Sequence, residues 1–241
     1  MNISAGRGLT IIVLVTIFML AGGIYYMNRE RMAGVETVDA APVPPGGARE
    51  LFAALEAGDP AEVTRLLSEF PDLLNYRFGQ EGSCLHVAAR RNDVAMVNLL
   101  LEKGADPKMR GQWSGTALHW ASWWGSKAVV EELLKRGFEI EDKGDDFGST
   151  PLLWACHGST NQRYVQGDYA GTVNLLIEKG AAADTANAEG MPAAMVASQE
   201  LREILRAHGA KVPGMPVSPD GGGGGDGGST TRPTAPVGPM V

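Results

Sequence analysis

Cys156-His157 is the first pair to suggest chemistry, a thiol beside an imidazole. Nucleophilic catalysis needs the base within hydrogen-bond reach of the thiol and a third group to orient it. Consecutive residues on a helix point about 100° apart and do not face each other, and no Asp or Asn is identifiable as the third member. His86 and His119, 33 residues apart, invite a metal reading, but the place that would extend the series holds Leu153. Gly221–Gly228 followed by Ser229-Thr230 has the glycine content of a phosphate loop. It lacks the Lys before the hydroxyl residue, with no apolar strand before it and no helical pattern after it. We therefore expect no catalytic residue, no metal site and no cofactor.

Binding chemistry is better represented. Trp113, Trp120, Trp123, Trp124 and Trp154 are all the tryptophans of the chain, and they fall within one short stretch together with Phe147, Arg90 and Arg91. Trp and Arg are the residue types that dominate interaction hot spots. The net charge of −7 lacks the basic stripe that a nucleic-acid partner requires, so we expect a protein or peptide partner.

The elements that must hold these residues follow from the rest of the chain. The residues from Gly8 to Asn28 carry no charge, and Leu9–Leu20 is almost wholly apolar. Twenty-one helical residues span about 30 Å, the thickness of a bilayer's hydrocarbon. Tyr25 and Tyr26 stand where an interfacial aromatic belt would be, before the polar run Asn28–Arg31. The expectation is a short N-terminal tail at 1–8, a single transmembrane helix at 9–27 and a Pro/Gly linker at 28–47. The alternative is a cleaved signal peptide, for which Ala21-Gly22-Gly23 offers small residues. Lys and Arg near the span lean only slightly toward a cytoplasmic C-terminal domain. The other Gly/Pro-rich stretch, 213–241, has almost nothing large and apolar to bury, which predicts a disordered tail.

Between these lies an internal repeat. Ser83-Cys84-Leu85-His86-Val87-Ala88-Ala89, Thr116-Ala117-Leu118-His119-Trp120-Ala121-Ser122 and Thr150-Pro151-Leu152-Leu153-Trp154-Ala155-Cys156 align, with a weaker copy at Pro192–Ser198. Their first residues are spaced 33, 34 and 42. After each comes a second helical stretch, at Val97–Gly104, Val130–Gly137, Val173–Gly180 and Leu201–Gly209. Apolar residues recur there at i, i+3 and i+4, and basic residues precede a closing Gly, as at helix C-termini.

These segments resemble ankyrin repeats, whose signature is a Thr-Pro-Leu-His-x-Ala-Ala turn and helix, a second helix, and a Gly-Ala-Asp close. Gly104-Ala105-Asp106 matches that close in residue type, and Ala53–Leu67 fits a degenerate first copy. The resemblance covers about Arg49–Val212. It implies an all-α solenoid of about five repeats, at roughly 48–81, 82–114, 115–147, 148–189 and 190–212, behind the membrane helix. It further implies that His86 and His119 are structural, bonding neighbouring backbone. Stacked repeats bury a continuous core and need polar caps, which suits the poor matches at both ends. With about 10 Å per packed layer, Cys84 and Cys156 stand two layers apart, beyond the ~7 Å a disulfide allows. They are expected to be free thiols.

Repeat four carries nine extra residues, and the polar stretch Ser159–Asp168 reads as a loop between its two helices. Trp120 and Trp154 share one motif position and read as core. In the family that the chain resembles, Trp123-Trp124 and His157 would line a groove, and Trp113 and Phe147 would sit on turn tips. The resulting expectation is a partner-binding set of Arg90, Arg91, Trp113, Trp123, Trp124, Phe147 and His157, with the aromatics forming one exposed patch rimmed by the arginines. The function this implies is a non-enzymatic, membrane-tethered scaffold or adaptor. The rivals are an exported envelope protein, and a small-molecule binder or enzyme using the repeat-four insertion, where His157, Arg163 and Asp168 stand near one another.

Overall fold

The computed structural model describes residues 45–160 and 167–212. The chain divides into two units, Met1–Pro45 and Gly46–Val241. The expected tail at 1–8, transmembrane helix at 9–27, most of the 28–47 linker and the 213–241 tail lie outside the described residues. Among the described residues, no helix is long and apolar enough to cross a membrane.

The second unit is built of helix pairs: α1 Ala48–Ala57 with α2 Pro60–Glu69, α3 Cys84–Arg90 with α4 Val94–Glu102, α5 Ala117–Trp123 with α6 Lys127–Lys135, α7 Pro151–Thr160 with α8 Tyr169–Glu178, and α9 Ala193–Val196 with α10 Gln199–Ala207. Among the described residues the only β feature is an isolated antiparallel bridge between Ala186 and Pro192. The first helices α1, α3, α5, α7 and α9 pack side by side in one layer, and α4, α6, α8 and α10 form a second layer against it.

The two layers read differently because they are buried differently. In α3, Cys84 to Ala89 are all buried, and in α5, Ala117 to Ser122. Such short helices of small residues fit between two neighbours and their own second helix, so no polar face survives. The second helices keep one. In α10, Leu201 and Leu205 are fully buried while Gln199, Glu200 and Glu203 face out. Each leucine so buried stabilises the stack by roughly 1.5–3 kcal/mol. One continuous core runs from Ala48 to Val212.

Helix starts are specified by side-chain oxygens that satisfy the orphan N–H groups of a first turn. Asp59 accepts from Ala61 and Glu62, both at 3.0 Å. Asp93 accepts from Met96 at 2.9 Å and Asp168 from Gly171 at 2.7 Å. Ser126, the residue before α6, instead donates its hydroxyl to the Arg90 carbonyl of the preceding repeat at 3.2 Å. The cap it leaves out comes from that same repeat, where Asn92, in the left-handed region at φ 57°, accepts from Val129 at 3.1 Å.

The histidines act between repeats. The Ser83 N–H donates to His86 Nδ1 at 3.2 Å, so Nδ1 is an acceptor and the proton sits on Nε2. Nε2 then donates to the Gly115 carbonyl of the next repeat at 3.1 Å. His119 repeats the arrangement, with Thr116 at Nδ1 and the Ser149 and Asp142 carbonyls both at 3.1 Å from Nε2. Burial drives the pKa of His86 down to about 4 and lowers that of His119 as well. In repeat four, where Leu153 replaces the histidine, Thr150 Oγ1 accepts from the Leu153 N–H and reaches Thr185 Oγ1 at 3.4 Å.

One expectation needs correcting. Ser159 and Thr160 are not loop; α7 runs on through them. Ser159 is buried, and its hydroxyl donates to the Cys156 carbonyl at 2.6 Å while accepting the Ser198 N–H of the next repeat at 3.1 Å. The apolar environment at the helix end takes a serine whose hydroxyl is satisfied on both sides, a situation that polarity alone does not reveal. Of the rest of the insertion, 161–166 lie outside the described residues.

Candidate functional site

The tips between helix pairs are joined across repeats. Trp113 and Ser114 both adopt left-handed backbone, at φ 53° and 56°, a conformation that costs a non-glycine residue about 1 kcal/mol or more. It is held by the Asp146 N–H donating to the Trp113 carbonyl at 3.0 Å, Ser114 Oγ donating to Asp146 at 2.7 Å, and Arg110 donating to the Ser114 carbonyl at 2.8 Å. Arg110 is itself paired with Asp142 at 3.0 Å. The tip of repeat four is fastened onward in the same way, with the Ala188 N–H donating to the Phe147 carbonyl at 2.9 Å.

This backbone brings three indoles together. Trp113, Trp123 and Trp154 lie pairwise 5.8–6.0 Å apart between ring centroids, tilted at 49° to 74°. The two contacts with Trp154 are the edge-on geometry that the aromatic quadrupole favours. Trp154 is the buried centre, 5.2 Å from the His119 ring, with its indole N–H donating to Asp145 at 2.6 Å. Asp145 is buried too, and accepts further from the Ser149 and Phe147 N–H groups at 2.5 and 3.2 Å. Three donors compensate the loss of water around this carboxylate. His157 stacks on Trp123 at 5.6 Å and 24°, and burial lowers its pKa.

The expected set is thus brought together in part. Trp113, Trp123 and His157 share one cluster, but with both tryptophans half-buried rather than lying open. Phe147 is the large apolar side chain left exposed at the tips, at 42%. Trp124 stands apart, under the Arg90 guanidinium at 5.6 Å. Arg90 is no open rim charge: it pairs with Glu56 and Glu81 across two earlier elements, and Arg91 reaches Glu56 at 3.8 Å. As expected, Trp120 and Trp154 are core. Sequence reasoning passed over Asp145. Its signal is an Asx turn in Asp145-Asp146-Phe147-Gly148, visible only once the Trp154 indole is known to point at it.

The groups considered for catalysis are disposed otherwise. Cys84 and Cys156 are free and buried, and burial pushes each thiol up to about 12, so neither is a thiolate at neutral pH. Asp168 caps α8 and lies 3.7 Å from Lys127. Arg163 lies outside the described residues. Among the described residues, no group of three or more His, Cys, Asp or Glu side chains is placed to hold a metal ion.

Comparison with known proteins agrees with this architecture. Residues 51–144 match the family model for ankyrin repeats in three copies. The chain is 38% identical over 108 residues to a probable E3 ubiquitin-protein ligase, XBOS33, of Oryza sativa subsp. japonica, a match covering 44% of this chain and 21% of that protein. It is 38% identical over 76 residues to the human NAD-capped RNA hydrolase NUDT12, covering 32% and 16%. It is 33% identical over 92 residues to the rat ankyrin repeat and SAM domain-containing protein 6, covering 38% and 10%. The chain thus spans about a fifth or less of the length of these curated relatives.

Proposed function

We propose that this chain, which is an ankyrin-repeat protein and so carries a protein-interaction module, is a non-enzymatic scaffold or adaptor tethered to a membrane by residues 9–27. The observation that carries the reading is the half-open cluster of Trp113, Trp123 and Trp154, which continues along the tips to exposed Phe147. Left-handed backbone at two consecutive non-glycine residues is maintained to place Trp113 there. Pre-positioned, half-buried indoles beside an exposed ring suit a binding anchor, because little side-chain freedom remains to be lost on association. Support for the tether comes from the uncharged run Gly8–Asn28, and the slight Lys/Arg bias favours repeats on the cytoplasmic side.

The test is crosslinking capture of partners by the full chain and by its Trp123→Ala/Phe147→Ala variant. Loss of about 2 kcal/mol of binding, roughly thirtyfold, is expected with the fold intact. Equal capture by both would remove the site. Deleting residues 1–28 should move the protein from the membrane to the soluble fraction. A full-length chain that is already soluble and intact would overturn the tether, and a mature mass lacking the first residues would favour the exported reading.

A further inference from the structure

We propose that the aromatic cluster of repeats three and four is covered by the proline-rich C-terminal end of this same chain, residues 232–239, which thereby competes with any outside partner. The proposal rests on the reading that this cluster is a docking face. The segment beyond Val212, outside the described residues, carries Pro233, Pro236 and Pro239, a spacing of three, directly after Arg232. A polyproline II helix has three residues per turn, so this spacing sets all three rings on one face, and its carbonyls have no internal hydrogen bonds. Aromatic-lined surfaces recognise that form by seating prolines between rings and donating to those carbonyls.

The cluster has both attributes. Trp113 and Trp123 are half-buried and mutually tilted, and among the described residues no acceptor meets either indole N–H. The charge matches as well. Arg232 is the single basic residue of 213–241. Beside the rings stands Asp146, an exposed carboxylate whose side chain, among the described residues, takes only the Ser114 hydroxyl.

The tail also departs on the correct side. After three of the second helices the chain makes the same turn: Ala105 N–H to Leu100, Ala181 to Leu176 and Ala210 to Leu205, all at 2.9–3.0 Å. In the first two cases that turn leads to the next tip. Val212 therefore leaves where a further tip would begin, three repeats beyond the Trp113 tip and two beyond Phe147, or about 20–30 Å at the usual helix-packing spacing. The twenty residues from Pro213 to Arg232 can cover at most about 65 Å, which is ample.

The five tryptophans all lie between 113 and 154, so their emission reports on this region alone. We would compare iodide quenching in the full chain, a chain ending at Val212, and the full-length Pro233→Ala/Pro236→Ala/Pro239→Ala variant, checking equal helicity by circular dichroism. Expected are steeper quenching and red-shifted emission in both variants. A synthetic 229–241 peptide should restore the original emission of the shortened chain saturably, and its triple-alanine version should bind at least about tenfold more weakly, near 1.4 kcal/mol. Identical quenching in all three chains, or a peptide without effect, overturns the proposal. Protection that grows with protein concentration overturns the intramolecular form and assigns the tail to a second copy. If the tail leaves the rings untouched while Trp123→Ala/Phe147→Ala still abolishes partner capture, the docking face stands with another occupant and only this inference falls.

Discussion

At the scale of single residues, two tryptophans at one motif position make a matched experiment. Trp120 and Trp154 are both buried, but the Trp154 N–H meets Asp145 at 2.6 Å whereas the Trp120 N–H has no partner among the described residues. Replacing either by Phe removes similar volume. Trp154→Phe also strips a donor from a buried carboxylate, and should cost about 1.5–3 kcal/mol more than Trp120→Phe. Urea unfolding of the two variants checks this, and equal midpoints would contradict it. The histidines supply a second prediction. Both are held neutral in the fold, His86 down to a pKa of about 4 against an ordinary 6.5. Between those values the unfolded chain binds a proton that the folded chain refuses. Stability should therefore be full above about pH 6.5 and fall as pH drops toward 4, by roughly 3 kcal/mol from His86 alone. His86→Gln should flatten that slope in thermal melts, at some cost in stability at neutral pH.

At the scale of elements, the contact of repeat four with the C-terminal end of α5 rests on glycines, one within α7 and one just before α8. A Cβ on Gly158 would stand 2.0 Å from the Trp123 carbonyl, and one on Gly167 would stand 2.2 Å from that of Trp124. In an open helix Gly→Ala stabilises by up to about 1 kcal/mol. Gly158→Ala should instead destabilise, by roughly 1–3 kcal/mol, because backbone must move to admit the methyl. A raised melting temperature would refute this close approach. Much of the element level was legible from the chain: the Leu-His motifs, the apolar periodicity and the closing glycines mark where the helix pairs lie. What was not legible is the set of ties between repeats. Nothing in the string around Asn92 or Ser126 says that one caps a helix 37 residues on and the other reaches back 36. The same holds for the binding residues. Composition put Trp113, Trp123, Trp124 and Phe147 in one neighbourhood, but their split into a Trp113–Trp123–Trp154 cluster and an Arg90-covered Trp124 depends on side-chain directions that spacing does not encode.

At the scale of the molecule, stability is a sum of repeats and of the surfaces between them. The core runs unbroken from Ala48 to Val212, and the Gly47 carbonyl already accepts from Leu51 at 2.8 Å. Residues 46–212 should therefore be helical and monodisperse without the rest of the chain. Circular dichroism with gel filtration checks this, and an aggregating fragment would count against it. Ending the chain at Glu189 instead would bare the α7 face now covered by α9 and the α8 face now covered by α10 with its buried Leu201 and Leu205, and should lower the melting temperature and favour association.

The histidine ties also give the molecule a clock. His86 closes its own turn on the Ser83 already made, but its other ring nitrogen waits for the Gly115 carbonyl, 29 residues later, and His119 waits 30 for Ser149. Made from the N-terminus at about 5–20 residues per second, each of these repeats spends some seconds on the ribosome with a buried donor unanswered. The N-terminal repeats can assume their shape in order of synthesis, but each of these ties locks only when its successor has emerged. Over these two repeats the growing chain is thus one repeat behind itself, and codons that slow translation near 115 or 149 would lengthen the interval in which it can be intercepted.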